Sequence, residues 1–157
     1  MSSEPRSISD KLILFLATGF YSGYAPKAPG TVGTLVALIP FLFLQQLTAW
    51  VYATVVLIAI LLGIVLCQKA DKLMQTHDNK AIVWDEFCGL WITLFMVPPG
   101  WFWVAIGFVL FRFFDIIKPF PISWLDKQVS GGLGVMLDDI VAGLFALGCI
   151  HLAIFLI

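Results

Sequence analysis

Five carboxylates in this 157-residue chain lie beside or inside strongly apolar segments. They are Asp85, Glu86, Asp115, Asp138 and Asp139. A charged group at the centre of a bilayer costs about 2.5–3.5 kcal/mol, so carboxylates near apolar segments usually have a function. Neighbouring carboxylates repel one another, and a hard divalent cation relieves that repulsion. Ligation by oxygen alone favours magnesium or manganese over zinc.

Two cations accompany one of these acids. Arg112 and Lys118 each stand three residues from Asp115, so the three side chains can share one flank of a helix. Carboxylates that hold a metal ion, next to Arg and Lys, are suited to binding and cleaving a phosphate ester. Simple ion pairing of Asp115, and helix capping by the other acids, are the structural alternatives.

The composition indicates that much of the surface does not face water. Hydrophobic residues make up 61% of the chain and charged residues 12%, against about 25% charged residues in soluble domains. The net charge of −1 argues against nucleic acid as a partner, because there is no basic field to neutralise its phosphates. No linker or repeat divides the sequence, which predicts one domain over residues 1–157.

Charge-free runs predict an all-α, polytopic membrane bundle with about five spans. The predicted spans are Val32–Leu47, Trp50–Cys67, Ala81–Val97, Trp101–Ile117 and Val135–Ile157. The apolar segment Leu12–Gly23 has only 12 residues, so we predict an interfacial or re-entrant helix capped by Ser9.

The basic residues predict the orientation of these spans. Eight cations lie in the N-terminal region or in loops 68–80 and 118–134, and the turns at 46–49 and 98–100 carry none: Arg6, Lys11, Lys27, Lys69, Lys72, Lys80, Lys118 and Lys127. Five spans with the N-terminus inside place all eight in the cytoplasm. The five carboxylates then reach a similar depth near the cytoplasmic face. Asp71 and Asp78, among several lysines, are interpreted as solvated loop charges.

Two glycine-containing segments each lead into a predicted span: residues 25–34 lead into the first span, and residues 131–134 precede the fifth span and Asp138. Glycine permits close backbone approach, and the amides at a helix N-terminus attract anions. Neither segment has Walker-loop spacing, and an ordinary loop is the alternative for both. The chain also has no cysteine followed by arginine six positions later, and no D-x-D-x-T stretch. A covalent phospho-enzyme is therefore disfavoured, and attack by metal-activated water is the favoured route.

Four blocks of the sequence resemble the bacterial phosphatidylglycerophosphatase A family over about residues 12–150. The blocks are Gly19–Gly23 with Ala28–Thr34, Ile82–Thr93, Phe111–Ile122 and Gly131–Gly143. The resemblance implies a magnesium-dependent, multi-pass enzyme of the bacterial inner membrane. Such an enzyme converts phosphatidylglycerophosphate to phosphatidylglycerol and inorganic phosphate in phospholipid biosynthesis.

Residue roles follow from the acids and the resemblance together. The expected magnesium ligands are Asp85, Glu86, Asp138 and Asp139, with Asp115 as a further ligand or general base. The expected contacts to the substrate are Lys27, Thr31, Arg112 and Lys118. The expected partners are the lipid substrate and the bilayer, the active site faces the cytoplasm, and the oligomeric state stays open. A cation- or proton-coupled transporter is the alternative, since intramembrane carboxylates also line such pathways. A non-catalytic membrane scaffold is a third interpretation.

Overall fold

The computed structural model describes residues 7–75 and 79–157, and the elements in them are helical. In chain order the helices are α1 Ile8–Ala17, a 3₁₀ turn Ser22–Tyr24, α2 Pro29–Val36, α3 Leu38–Leu44, α4 Ala49–Met74, α5 Trp84–Thr93, α6 Trp101–Ile117, α7 Ile122–Gln128 and α8 Gly131–Leu156. The predicted all-α class is confirmed. The observed bounds of α6 are those predicted, because two prolines and a glycine precede it and Lys118 ends it in the left-handed conformation (φ 46°).

Helix α8 lies at the centre and packs against α4, α5, α6 and α7. Small residues bring the helices close together: a Cβ built on Gly143 would lie 2.6 Å from the carbonyl oxygen of Gly89 in α5. Thr93 donates its hydroxyl to Gly89 at 2.9 Å and contacts the Gly143 carbonyl at 3.3 Å. Close approach through small residues is typical of helices packed in membranes. It also brings the acids of α5 next to those of α8.

Within the part of the chain that the structure describes, two helices, α4 and α8, are long and apolar enough to cross a membrane. Each has 26 residues, or about 39 Å at 1.5 Å per residue, against a hydrocarbon core about 30 Å thick. Only 28% of the most apolar window of each helix is buried within the protein. Most of their apolar surface is therefore available to lipid.

The prediction of about five spans is wrong for this structure. The run Val32–Leu47 forms two short helices that meet at Ala37, because Pro40 has no N–H to donate to the carbonyl of Val36. The run Ala81–Val97 contains the ten-residue α5, only about 15 Å long. It starts late because the N–H of Val83 donates to the carbonyl of Ala17 in α1, at 2.9 Å, instead of joining a helix.

Three N-terminal and loop predictions also need correction. Helix α1 begins at Ile8, earlier than predicted, and Ser7 rather than Ser9 caps it through a capping box with Asp10. Its ten residues are too few to cross a bilayer. Asp71, interpreted above as solvated, is only 7% exposed and accepts the backbone N–H of Asn79 at 3.2 Å. Arg6 and Asp78 lie outside the described residues.

Candidate active site

All five predicted carboxylates line one open cavity of about 840 Å³. The cavity lies where the N-terminal ends of α2, α5 and α8 meet the C-terminal end of α6 and the short helix α7. Asp85 and Glu86 project from the first turn of α5, and Asp115 from the last turn of α6. Asp138 and Asp139 lie about two turns into α8. The fold thus brings together acids from three helices that are distant in sequence.

Arg112 forms the centre of an ion-pair network on one wall of this cavity. Its Nη1 lies 2.7 Å from Glu86 Oε2 and 2.6 Å from Asp115 Oδ2. Thr34 in α2 donates its hydroxyl to the same Glu86 oxygen at 2.6 Å. The three side chains of these ion pairs are each at most 14% exposed, so water and salt screen the network weakly. Two donors therefore fix the carboxylate of Glu86.

Gly30 allows α2 to pass directly beside that carboxylate. A Cβ built on Gly30 would lie 2.1 Å from Glu86 Oε1 and 2.9 Å from its Cδ. Thr34 lies one helical turn further along α2, on the same face, and holds the other oxygen. Gly30 and Thr34 together therefore set the position of Glu86.

We expect Gly30→Ala to lower kcat/KM by on the order of 100-fold, because a small displacement of a catalytic group can cost that much. Gly148→Ala is the matched control, since a Cβ on that glycine of α8 meets no atom within 4 Å. Phosphate release and thermal unfolding of both variants would be measured in detergent. Wild-type kcat/KM in Gly30→Ala would show that the position of Glu86 does not matter.

Lys118 joins α6 to both α7 and α8. Its ammonium group donates to Asp126 of α7 at 2.8 Å and to Asp138 of α8. Burial opposes protonation of Lys118, but the hydrogen bonds to these two acids outweigh it and raise the pKa of Lys118 above its ordinary value. Lys118 therefore carries its charge at neutral pH and holds α7 against α8.

Three buried carboxylate oxygens have no hydrogen-bond partner among the described residues. They are Asp85 Oδ1, Asp138 Oδ1 and Asp139 Oδ2. A buried acceptor without a partner costs about 1–3 kcal/mol, and more when it is charged. A hard divalent cation satisfies oxygen donors of this kind, so their chemistry fits magnesium. Glu86 differs from the other predicted ligands, because neither of its oxygens is a buried acceptor without a partner in the described ranges; Arg112 and Thr34 both bond its Oε2.

The acids do not form a closed metal cage as they stand. Within residues 7–75 and 79–157, no three His, Cys, Asp or Glu side chains are grouped closely enough to hold an ion. The donor set fits magnesium, and binding the ion would require rotation of these side chains.

The same cavity also carries groups that attract anions. Pro29 and Gly30 at the start of α2, and Ser130 and Gly131 at the start of α8, lie on its wall. Neither helix has a side-chain hydrogen bond that caps its first amides. Unpaired amides and the positive end of the helix dipole favour a bound phosphate. Anion-attracting helix ends and cation-attracting carboxylates therefore line the same cavity.

Two residues predicted to contact phosphate, Lys27 and Thr31, are not among the described residues on the cavity wall. Ala28, with φ of 47°, turns the chain into α2 and leaves Lys27 exposed to solvent. Sequence reasoning missed Thr34, although its spacing of four residues from Gly30 places both on one helical face. It also missed Asp126, which pairs with Lys118.

The model of the phosphatidylglycerophosphatase A family matches residues 15–154. The chain belongs to this family. The Escherichia coli phosphatidylglycerophosphatase A is 50% identical over 138 residues, which cover 87% of this chain and 80% of the relative. The Haemophilus influenzae phosphatidylglycerophosphatase A is 43% identical over 136 residues, covering 85% and 83%. A Bacteroides thetaiotaomicron relative, provisionally named a phosphatidylinositol-3-phosphatase, is 38% identical over 143 residues, covering 86% and 89%. No solved structure matches the chain.

The family match spans every element that lines the cavity, from α2 to α8. The blocks that carried the resemblance contain all five carboxylates as well as Arg112 and Lys118. The membership and the cavity thus indicate the same part of the molecule.

Proposed function

We propose that the chain hydrolyses the terminal phosphate of phosphatidylglycerophosphate to give phosphatidylglycerol and inorganic phosphate. Water adds to phosphorus, the bond from phosphorus to the glycerol oxygen breaks, and a proton passes to that oxygen. The observation that carries the proposal is the cavity, whose lining includes two uncapped helix N-termini and three acids that each have a buried oxygen without a partner among the described residues. The substrate is taken from the names of the Escherichia coli and Haemophilus influenzae relatives.

Residue roles follow from the contacts on the cavity wall. Asp85, Asp138 and Asp139 would hold magnesium through their unpartnered oxygens. When bound, the ion supplies activation of water and neutralisation of phosphate charge. Arg112 holds Asp115 beside the site, where Asp115 is a further ligand or the base that accepts a proton from water.

Glu86 and Lys118 have supporting roles in this proposal. Glu86, fixed by Thr34 and Arg112, either completes the ligand set with its second oxygen or anchors the guanidinium group. Lys118 keeps Asp138 in position and adds positive charge near the phosphate. The first amides of α2 and α8 bind phosphate oxygens.

The proposed setting is the bacterial inner membrane, with α4 and α8 crossing the bilayer. The support is their length and their largely unburied apolar surface. The basic loops favour a cavity that faces the cytoplasm. Labelling a cysteine at Ser130 with an impermeant thiol reagent, in a background without native cysteines, tests this orientation. Labelling in intact cells would contradict it.

The transporter alternative has less support. The carboxylates lie at one end of the bundle, and His151, deep in α8, contacts the carbonyl of Phe95 at 2.9 Å.

Lipid analysis in a bacterium deprived of its own phosphatidylglycerophosphate phosphatases tests the proposal. Expression of the chain should restore phosphatidylglycerol and remove the accumulated phosphatidylglycerophosphate. Unchanged lipids with a well-expressed protein would reject the proposed reaction.

A further inference from the structure

The cations that line the cavity fall into two classes. Arg112 and Lys118 are each paired with two carboxylates, Arg112 with Glu86 and Asp115, and Lys118 with Asp126 and Asp138. Lys80 and Lys127 line the same cavity, are exposed, and make no ion pair with any residue in the described ranges. The charge of these two lysines is therefore available to a ligand.

Hydrogen bonds, an ion pair and side-chain packing hold the backbone at both lysines in position. The N–H of Asn79 donates to buried Asp71 at 3.2 Å, and the N–H of Ala81 donates to the Asn79 side chain at 2.9 Å. The chain is thus held on both sides of Lys80. Lys127 lies in the last turn of α7, which the Lys118–Asp126 pair and the buried side chain of Ile122 fix to the bundle.

The charge of the cavity lining is unfavourable for a second phosphate group. The described lining residues include six carboxylates and four cations. Two of these cations, Arg112 and Lys118, are already paired with carboxylates. A second phosphate, which is not the one being cleaved, would be repelled by this acidic surface. Unpaired lysines are the groups that would attract it.

We propose that Lys80 and Lys127 form a second phosphate subsite, which binds the phosphodiester of the lipid headgroup while the terminal monoester lies at the carboxylates. This inference rests on the proposed function and names the part of the substrate that the rim of the cavity recognises. A glycerol unit separates the two phosphates of this lipid, and a cavity of about 840 Å³ has room for the whole headgroup. Ile116, 67% exposed, also lines the cavity and offers an apolar side towards the acyl chains.

The test compares Lys80→Gln/Lys127→Gln with Lys11→Gln/Lys69→Gln in detergent micelles. The control pair removes the same charge from exposed lysines that are not among the described lining residues. We expect the first pair to raise KM for phosphatidylglycerophosphate about tenfold, the size that charge-assisted contacts at an open site supply. Inhibition by phosphatidylglycerol, which has only the diester, should weaken about as much.

Inhibition by inorganic phosphate distinguishes loss of this subsite from a general weakening of the electrostatic attraction between the protein and anions. Its inhibition constant should stay at the wild-type value in both double variants, because inorganic phosphate occupies the monoester position. The second subsite is overturned if KM is unchanged in Lys80→Gln/Lys127→Gln, or if inhibition by phosphatidylglycerol and by inorganic phosphate weakens equally. Neither result affects the proposed function, because the wild type would still hydrolyse the lipid. A wild-type protein that releases no phosphate from this lipid removes the proposed function, and the subsite with it.

Discussion

Asp139→Asn is expected to lower the rate of phosphate release by on the order of 100- to 1,000-fold while the protein still folds. Asp139 is 3% exposed, and its Oδ2 is one of the three buried oxygens without a partner. The amide has the same shape but no charge to offer a cation, and loss of one preorganised electrostatic group typically has an effect of this size. Removing one of several crowded negative charges should leave the free energy of unfolding unchanged or raise it.

The measurement is phosphate release per mole of folded protein, with thermal unfolding recorded beside it. Asp85→Asn should behave in the same way, because Asp85 Oδ1 also has no partner. Asp10→Asn removes a charge from the capping box of α1, at a position that is not among the described lining residues, and should keep the wild-type rate. Retention of about a tenth or more of the activity in both cavity variants would contradict their assignment as metal ligands.

Removal of magnesium should abolish activity, and its return should restore it. The three unpartnered oxygens leave buried negative charge that a small hard cation neutralises. Calcium should substitute poorly, because it prefers longer bonds and more ligands. Phosphate release in excess chelator, then with magnesium or calcium added back, is the assay.

A second measurement separates metal binding from turnover. A ligand that binds only the folded protein raises its melting temperature, so magnesium should stabilise the wild type and have little effect on Asp139→Asn. Full activity in excess chelator, or equal stabilisation of both proteins, would show that the carboxylates serve another purpose.

The sequence predicted the acid cluster because its positions depend on local signals. Charge-free runs, loop lysines and the turn at 98–100 placed Asp85, Asp115 and Asp138 at one end of the bundle. The structure places all three in the lining of one cavity. Charge patterning therefore predicted that these residues of different helices lie close together, although the number of spans was wrong.

Such local patterns could not predict contacts between segments that are distant in sequence. Thr34 and Glu86 are 52 residues apart, and Arg112 is 26 residues from Glu86, so no periodicity reports their hydrogen bonds. The length of α5 was misjudged for a similar reason. Apolar residues continue to Val97, but the helix ends at Thr93, and His151 of α8 contacts the carbonyl of Phe95 beyond its end.

The most direct test of the proposed hydrolysis uses the purified chain, phosphatidylglycerophosphate and magnesium in water enriched in heavy oxygen. Phosphate and phosphatidylglycerol would be quantified and their oxygen isotopes measured by mass spectrometry. Water attack at phosphorus predicts equal amounts of the two products, with one solvent oxygen in each phosphate and none in the phosphatidylglycerol. No phosphate release would contradict the proposed hydrolysis, and solvent oxygen in the phosphatidylglycerol would contradict water attack at phosphorus.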